Sequence, residues 1–125
     1  MNVLVVDDLP FMRMLMTQAV EEAGFQVAGQ AVNGRQAVRM FRENPGLLTL
    51  MDINMPVMDG MKALEKMLGI NPRGSIIMCS TIDQRTLILR ALNMGALDYI
   101  VKPFTSERVE DALIRARRRV ERGGL

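Results

Sequence analysis

Three short, largely apolar runs end on charges, and the placing of those charges constrains the fold more than any other feature of the chain. Val3-Leu4-Val5-Val6 runs into Asp7-Asp8, Leu47-Leu48-Thr49-Leu50-Met51 into Asp52, and Tyr99-Ile100-Val101 into Lys102-Pro103. Apolar runs of this length, set between segments of helical period, read as strands buried on both faces, which belong in a parallel sheet. In an open parallel sheet, ligands bind outside the carboxyl ends of the strands. Three carboxylates and one ammonium are therefore delivered to one crevice. Two like charges about 5 Å apart repel by roughly 3 kcal/mol at an effective dielectric of 20. A cluster of that kind is unfavourable without a cation, so the pattern points to a metal and phosphoryl site.

The rest of the chain supplies the helices that such a sheet needs. The spacing predicts strands at Asn2–Val6, Gln26–Ala31, Leu47–Met51, Ser75–Cys79 and Asp98–Val101. Between them lie segments with apolar residues at helical spacing. The first begins near Pro10, a residue suited to a first helical turn, and ends at Gly24. The second covers about Arg35–Arg42 behind the cap residue Asn33, the third about Met61–Leu68, and the fourth about Gln84–Met94. The fifth opens at Thr105 or Ser106 and carries Val109, Ala112, Leu113, Ala116 and Val120 on one stripe. Strand two is interrupted by Gly29 and is expected at a sheet edge. Five strand–helix units in alternation imply an α/β fold, a doubly wound parallel sheet with helices on both faces.

Composition narrows the function. A chain of 125 residues is one domain by length, expected to span residues 1–125 with a single core. No apolar stretch approaches the ~20 residues of a membrane span. Asp7-Asp8 cut the first apolar run too short for a signal peptide, and the lone cysteine, Cys79, suits a reducing compartment. A cytoplasmic protein that engages no membrane is expected. The net charge of +2 sits in residues 105–125, which hold six Arg and four acidic residues. Arg115 and Arg117-Arg118-Arg119 complement the dipole at the end of the last helix. With five aromatics and no Trp, nothing in the chain suggests a nucleic-acid partner.

Four pieces in order then carry a resemblance over essentially the whole length. They are Val3-Leu4-Val5-Val6-Asp7-Asp8, Phe11-Met12-Arg13, Met51-Asp52-Ile53-Asn54-Met55-Pro56-Val57-Met58-Asp59-Gly60, and Gly95-Ala96-Leu97-Asp98-Tyr99-Ile100-Val101-Lys102-Pro103-Phe104. In these the chain resembles the receiver domain of two-component response regulators, most closely the single-domain chemotaxis type. The resemblance implies a flavodoxin-like sheet of strand order 2-1-3-4-5. It implies that Asp52 accepts a phosphoryl group from a histidine kinase. Asp7, Asp8 and Asp52, with the backbone carbonyl of Asn54, would hold Mg2+, or Mn2+ in its place; their hard oxygens argue against Zn2+. Lys102 would contact the phosphoryl oxygens, Ser80 would be the switch hydroxyl and Tyr99 the rotating aromatic. The target, expected to be the flagellar motor switch, would bind the face made by helix four, strand five and helix five, with Arg85, Ile88, Leu92, Tyr99 and Arg115 as contacts. A phosphatase would reset the signal, and the protein would act as a monomer that catalyses only its own phosphorylation and dephosphorylation. Thr81 stands where the family has a smaller residue and is expected to crowd the phosphoryl pocket.

Other readings remain open at this point. A phosphorelay intermediate and a receiver cut from a larger regulator share the same chemistry. A phosphatase with an Asp nucleophile would want an Asp-x-Asp spacing, whereas Asp7 and Asp8 are adjacent and Asp52 is isolated. A flavin protein of this topology would want phosphate-cradling loops that the sequence lacks.

Overall fold

A computed structural model describes residues 2–123. Its strands are β1 (Asn2–Val6), β2 (Gln26–Ala31), β3 (Leu48–Asp52), β4 (Ile76–Ser80) and β5 (Asp98–Val101). Its helices are α1 (Pro10–Glu22), α2 (Gly34–Glu43), α3 (Gly60–Ile70), α4 (Arg85–Met94) and α5 (Ser106–Gly123). The strands form one sheet in the order β2-β1-β3-β4-β5, every pair parallel. The flavodoxin-like order is as expected, and β2 lies at an edge. Its register against β1 slips between Val3 and Leu4, where Leu4 faces Gly29.

Because successive strand side chains point to opposite faces, the sheet divides the core in two. Val3, Val5, Leu48, Leu50, Ile77 and Ile100 face one side and pack on Met16 and Val20 of α1 and on Val109 and Leu113 of α5. Leu4, Val6, Met51, Ile76 and Met78 face the other and pack on Phe41 of α2, Leu64 and Met67 of α3, and Ile88 of α4. Helix starts follow local chemistry. Asn33 Oδ1 accepts from Gln36 N at 2.8 Å and opens α2, and Asp59 Oδ1 accepts from Lys62 N at 2.8 Å and opens α3.

Two strands run one residue further than the apolar pattern predicts. Asp52 pairs with Cys79, and Ser80 pairs with Val101. The polar residues close the strands because the ladder still has partners there. Helix four also starts differently. A short 3-10 turn, Ile82–Gln84, precedes α4, and Thr81 N donates to Gln84 Oε1 at 2.8 Å.

Thr49 is a polar residue wholly inside this core. It is fully buried in β3, and its Oγ1 has no hydrogen-bond partner among the described residues. A buried hydroxyl without a partner costs about 1–3 kcal/mol. Thr49→Val should therefore raise the midpoint of thermal unfolding by a few degrees, since ~1 kcal/mol moves a domain of this size by roughly 3–5 °C. A differential scan of both proteins checks this; a lower midpoint for the variant would mean the hydroxyl does have a partner in solution.

Candidate functional site

The carboxyl ends of β1, β3 and β5 bring the expected charges together. Asp7 follows β1 directly, Asp52 closes β3, and Lys102 follows β5. Asp7, Asp8 and Asp52 each offer an oxygen, and these three atoms lie within 4.8 Å of one another. Lys102 Nζ donates to Asp7 Oδ2 at 2.8 Å and to Asp52 Oδ1 at 3.0 Å. Asp7 is fully buried, Asp52 nearly so, and Asp8 lies at the rim. Ser80 sits on the neighbouring strand end, where its backbone carbonyl accepts from Lys102 N at 2.7 Å. The Ser80 hydroxyl is buried and has no partner among the described residues.

Electrostatics follow from this packing. Burial raises the Asp52 carboxyl above its ordinary 3.8, although the hydrogen bond from Lys102 pulls the other way. For Lys102 burial favours the neutral amine, but hydrogen bonds to Asp7 and Asp52 outweigh it and hold the ammonium above its ordinary 10.5. Three carboxylates against one ammonium leave the cluster two charges negative. All donors are hard oxygens. The chain has no His, and burial pushes the one thiol, Cys79, far above its usual range. The donor set therefore fits a hard divalent cation such as Mg2+ and offers Zn2+ nothing soft.

The backbone around the cluster is tied down. Asp7 Oδ1 accepts from Leu9 N at 2.9 Å, and Arg13 Nη1 donates to the Asp7 carbonyl at 2.7 Å. In the sequence Arg13 stands out only as part of the motif Phe11-Met12-Arg13. Its place on α1, under two turns beyond Asp7, was the available signal for this contact. After β3, Ile53 N donates to Cys79 O at 3.2 Å and Gly60 N to Ile53 O at 2.7 Å, closing the base of the loop that carries Asn54. A Cβ on Gly60 would stand 2.1 Å from Asp52 O, so no larger residue fits there. Asp59 and Gly60 thus serve the turn and the helix start.

The comparisons with known proteins agree with this geometry. The family model described as "Response regulator receiver domain" matches residues 3–114. The chain belongs to this family. Among its relatives, the chemotaxis protein CheY of Thermotoga maritima is 44% identical over 112 residues, covering 90% of this chain and 93% of the relative. CheY of Bacillus subtilis is 43% identical over the same shares. Among solved structures, the CheX–CheY–BeF3–Mg2+ complex from Borrelia burgdorferi superimposes with a TM-score of 0.86 at 31% identity, covering 91% of this chain and 87% of that one.

The receiver domain's expected partner face is only partly assembled as the sequence suggested. Ser80, Arg85, Ile88, Leu92 and Tyr99 line one groove of about 520 Å³ between α4 and β5. Arg115 is not among its lining residues; it is exposed on α5 and paired with Asp111 at 3.3 Å. Ile88 lines the groove with little of its own surface. It is 6% exposed and belongs to the core under α4, because its side chain faces the sheet. Leu89, one position on, is 57% exposed and lines the same groove. Thr81 also differs from expectation. It is exposed, and its hydroxyl donates to Asp83 Oδ1 at the start of the 3-10 turn, so it is committed to a cap. Tyr99 is partly exposed, and its backbone carbonyl accepts from Arg108 Nη2 at 2.5 Å, which ties β5 to α5. Among the described residues, no helix is long and apolar enough to cross a membrane.

Proposed function

We propose that this receiver domain is a phosphoacceptor switch that takes a phosphoryl group onto Asp52 from a histidine kinase and then binds a target. The observation that carries this is the charge imbalance of the cluster. Three carboxylates share one ammonium at the carboxyl edge of the sheet, which leaves room in charge for one divalent cation. Asp7, Asp8 and Asp52 would hold Mg2+, with the Asn54 carbonyl as a further oxygen. When bound, Mg2+ offsets negative charge on the attacking carboxylate and on the phosphoryl oxygens.

The chain's own residues do the rest. An Asp52 oxygen forms a bond to phosphorus, and the bond from phosphorus to the donor's nitrogen or oxygen breaks, its electron pair leaving with the donor. Lys102 already reaches Asp52 and can follow a phosphoryl oxygen as a point charge. The free Ser80 hydroxyl can donate to another phosphoryl oxygen, which would supply its missing partner. Water attack at phosphorus later returns the carboxylate, so the protein acts on itself and turns over no other substrate.

Incubation with acetyl phosphate and Mg2+, followed by intact-protein mass, tests the reading. One added phosphoryl group, lost on mutation of Asp52, supports it. Steady release of phosphate from phosphomonoesters would favour an Asp-nucleophile phosphatase and overturn it.

Similarity to chemotaxis proteins supports the flagellar motor switch as the target, with a dedicated phosphatase as the reset and a monomer in the cytoplasm as the acting form. The target would seat on the α4–β5 groove. Leu89→Asp should leave phosphoryl uptake unchanged and weaken binding of the phosphorylated protein to its target by about tenfold or more, as expected for an apolar contact near the centre of an interface. Ile88→Asp should instead lose the fold, because it buries a charge. Titration of target by each variant checks this, and unchanged affinity for Leu89→Asp would place the partner elsewhere.

A further inference from the structure

We infer that Gly34, the first residue of α2, is a positioning residue for the loop from Ile53 to Gly60 that borders the acidic cluster. This rests on the phosphoacceptor reading above and names a residue that the site depends on without touching it.

Gly34 contributes no group to the cluster, and it is 18 residues before Asp52 in the chain. Its N–H donates to Met58 O at 2.8 Å. A Cβ at this position would stand 2.5 Å from Met58 O and 2.9 Å from Asp59 O. Both obstacles are backbone atoms, which cannot swing aside as the end of a side chain can. The need for glycine here is one of contact, because Gly34 is not among the residues of positive φ.

The loop has a reason to need such a clamp. Met58 N donates to Pro56 O at 2.7 Å, closing a three-residue turn around Val57. Val57 has φ of 69° and is 75% exposed. A β-branched residue at positive φ is strained, and such strain persists only where the surroundings over-determine the backbone. The base of the loop is held by Ile53 and Gly60. Among the described residues, Gly34 N is the backbone donor that reaches the outer half of the loop from another part of the chain. Asn54, whose carbonyl would face the cation, lies between these two anchor points. A Cβ 2.5 Å from Met58 O would force the outer half to move by about half an ångström or more, and so would move a metal ligand.

The test is calorimetric titration of Mg2+ into the parent, Gly34→Ala and Gly29→Ala, with amide hydrogen exchange on the metal-free proteins. Gly29, on β2, is the control, because a Cβ there would meet only side-chain ends, Met40 Cε of α2 and Leu4 Cδ1 of β1, and no atom of the loop. Gly34→Ala should raise the Mg2+ dissociation constant by about tenfold, the scale on which groups behind metal ligands act. It should also speed exchange of the Met58 and Gly60 amides. Gly29→Ala should stay within about twofold of the parent, as distant sites do. If Gly34→Ala does not fold, Asn33→Ala replaces it. That change removes the cap on Gln36 N, loosens the first turn of α2 and should weaken Mg2+ several-fold in the same direction. A folded variant at position 34 or 33 with parental affinity overturns the inference, as does an equal loss in Gly29→Ala. A parent that binds no Mg2+ and takes up no phosphoryl group from acetyl phosphate overturns the phosphoacceptor reading itself, and the inference with it.

Discussion

Asp52→Asn is expected to take up no phosphoryl group from acetyl phosphate in the presence of Mg2+. The amide nitrogen and oxygen are poor nucleophiles, and an amide brings no negative charge to the cation. The remaining carboxylates are not substitutes, since Asp7 is fully buried and already committed to Lys102 and Leu9. The loss should exceed the roughly 10²–10⁴-fold typical of removing a single assisting group, because the bond-forming atom is gone. The same variant should be more stable than the parent at neutral pH without Mg2+. Burial raises the Asp52 carboxyl above 3.8, so the folded state holds its proton more tightly than the unfolded chain does. Ionised Asp52 therefore costs stability at neutral pH. As pH falls through the raised value the parent regains its proton and the gap to Asp52→Asn closes; below 3.8 it should change no further. Chemical denaturation of both proteins from neutral to acid pH reads this directly. A gap that widens on acidification would show that the Lys102 contact outweighs burial.

Lys102→Met should strongly destabilise the metal-free fold. Among the described residues, the ammonium is the one positive group paired with both Asp7 and Asp52, at 2.8 and 3.0 Å. Removing one partner of a buried ion pair costs about 3–5 kcal/mol, because the charge left behind has neither water nor a counter-ion. For a domain of this size that is a fall of about 10 °C or more in the unfolding midpoint. Mg2+ should restore part of the loss by neutralising the same carboxylates. In the parent, the Lys102 contribution is fully present below 10.5 and is lost as pH rises through its raised value, so alkaline unfolding should begin there. A variant that melts within about two degrees of the parent at neutral pH would show that the contacts of Lys102 with Asp7 and Asp52 contribute little to the stability of the fold.

Much of this was legible in the sequence, for identifiable reasons. Charges that end apolar runs mark strand ends, and the α/β alternation sends those ends to one edge. Asp7, Asp52 and Lys102 meet on that account alone. Register is what apolar patterning cannot supply. Helix four carries Leu87, Ile88, Leu89, Ala91, Leu92 and Met94, so no stripe stands out, and only the packing of Ile88 against the sheet separates core from surface. Thr81 looks like bulk near a pocket until Asp83 and Gln84 are seen to draw it into a cap. Gly34 and Arg13 act on backbone carbonyls far from them in sequence, or just around a turn, and a bond to a carbonyl leaves no trace in residue type.

The last two helices are gripped unequally. α5 buries Val109, Ala112, Leu113 and Ala116, whereas α4 buries Ile88 and Ala91. Local opening follows buried apolar surface, so α4 occupies the shallower well of the two. It also begins five residues after Ser80, whose buried hydroxyl has no partner among the described residues. An event at Ser80 then has a loosely seated lever beside it. Moving a helix so seated would take less free energy than moving α5, which four buried residues hold.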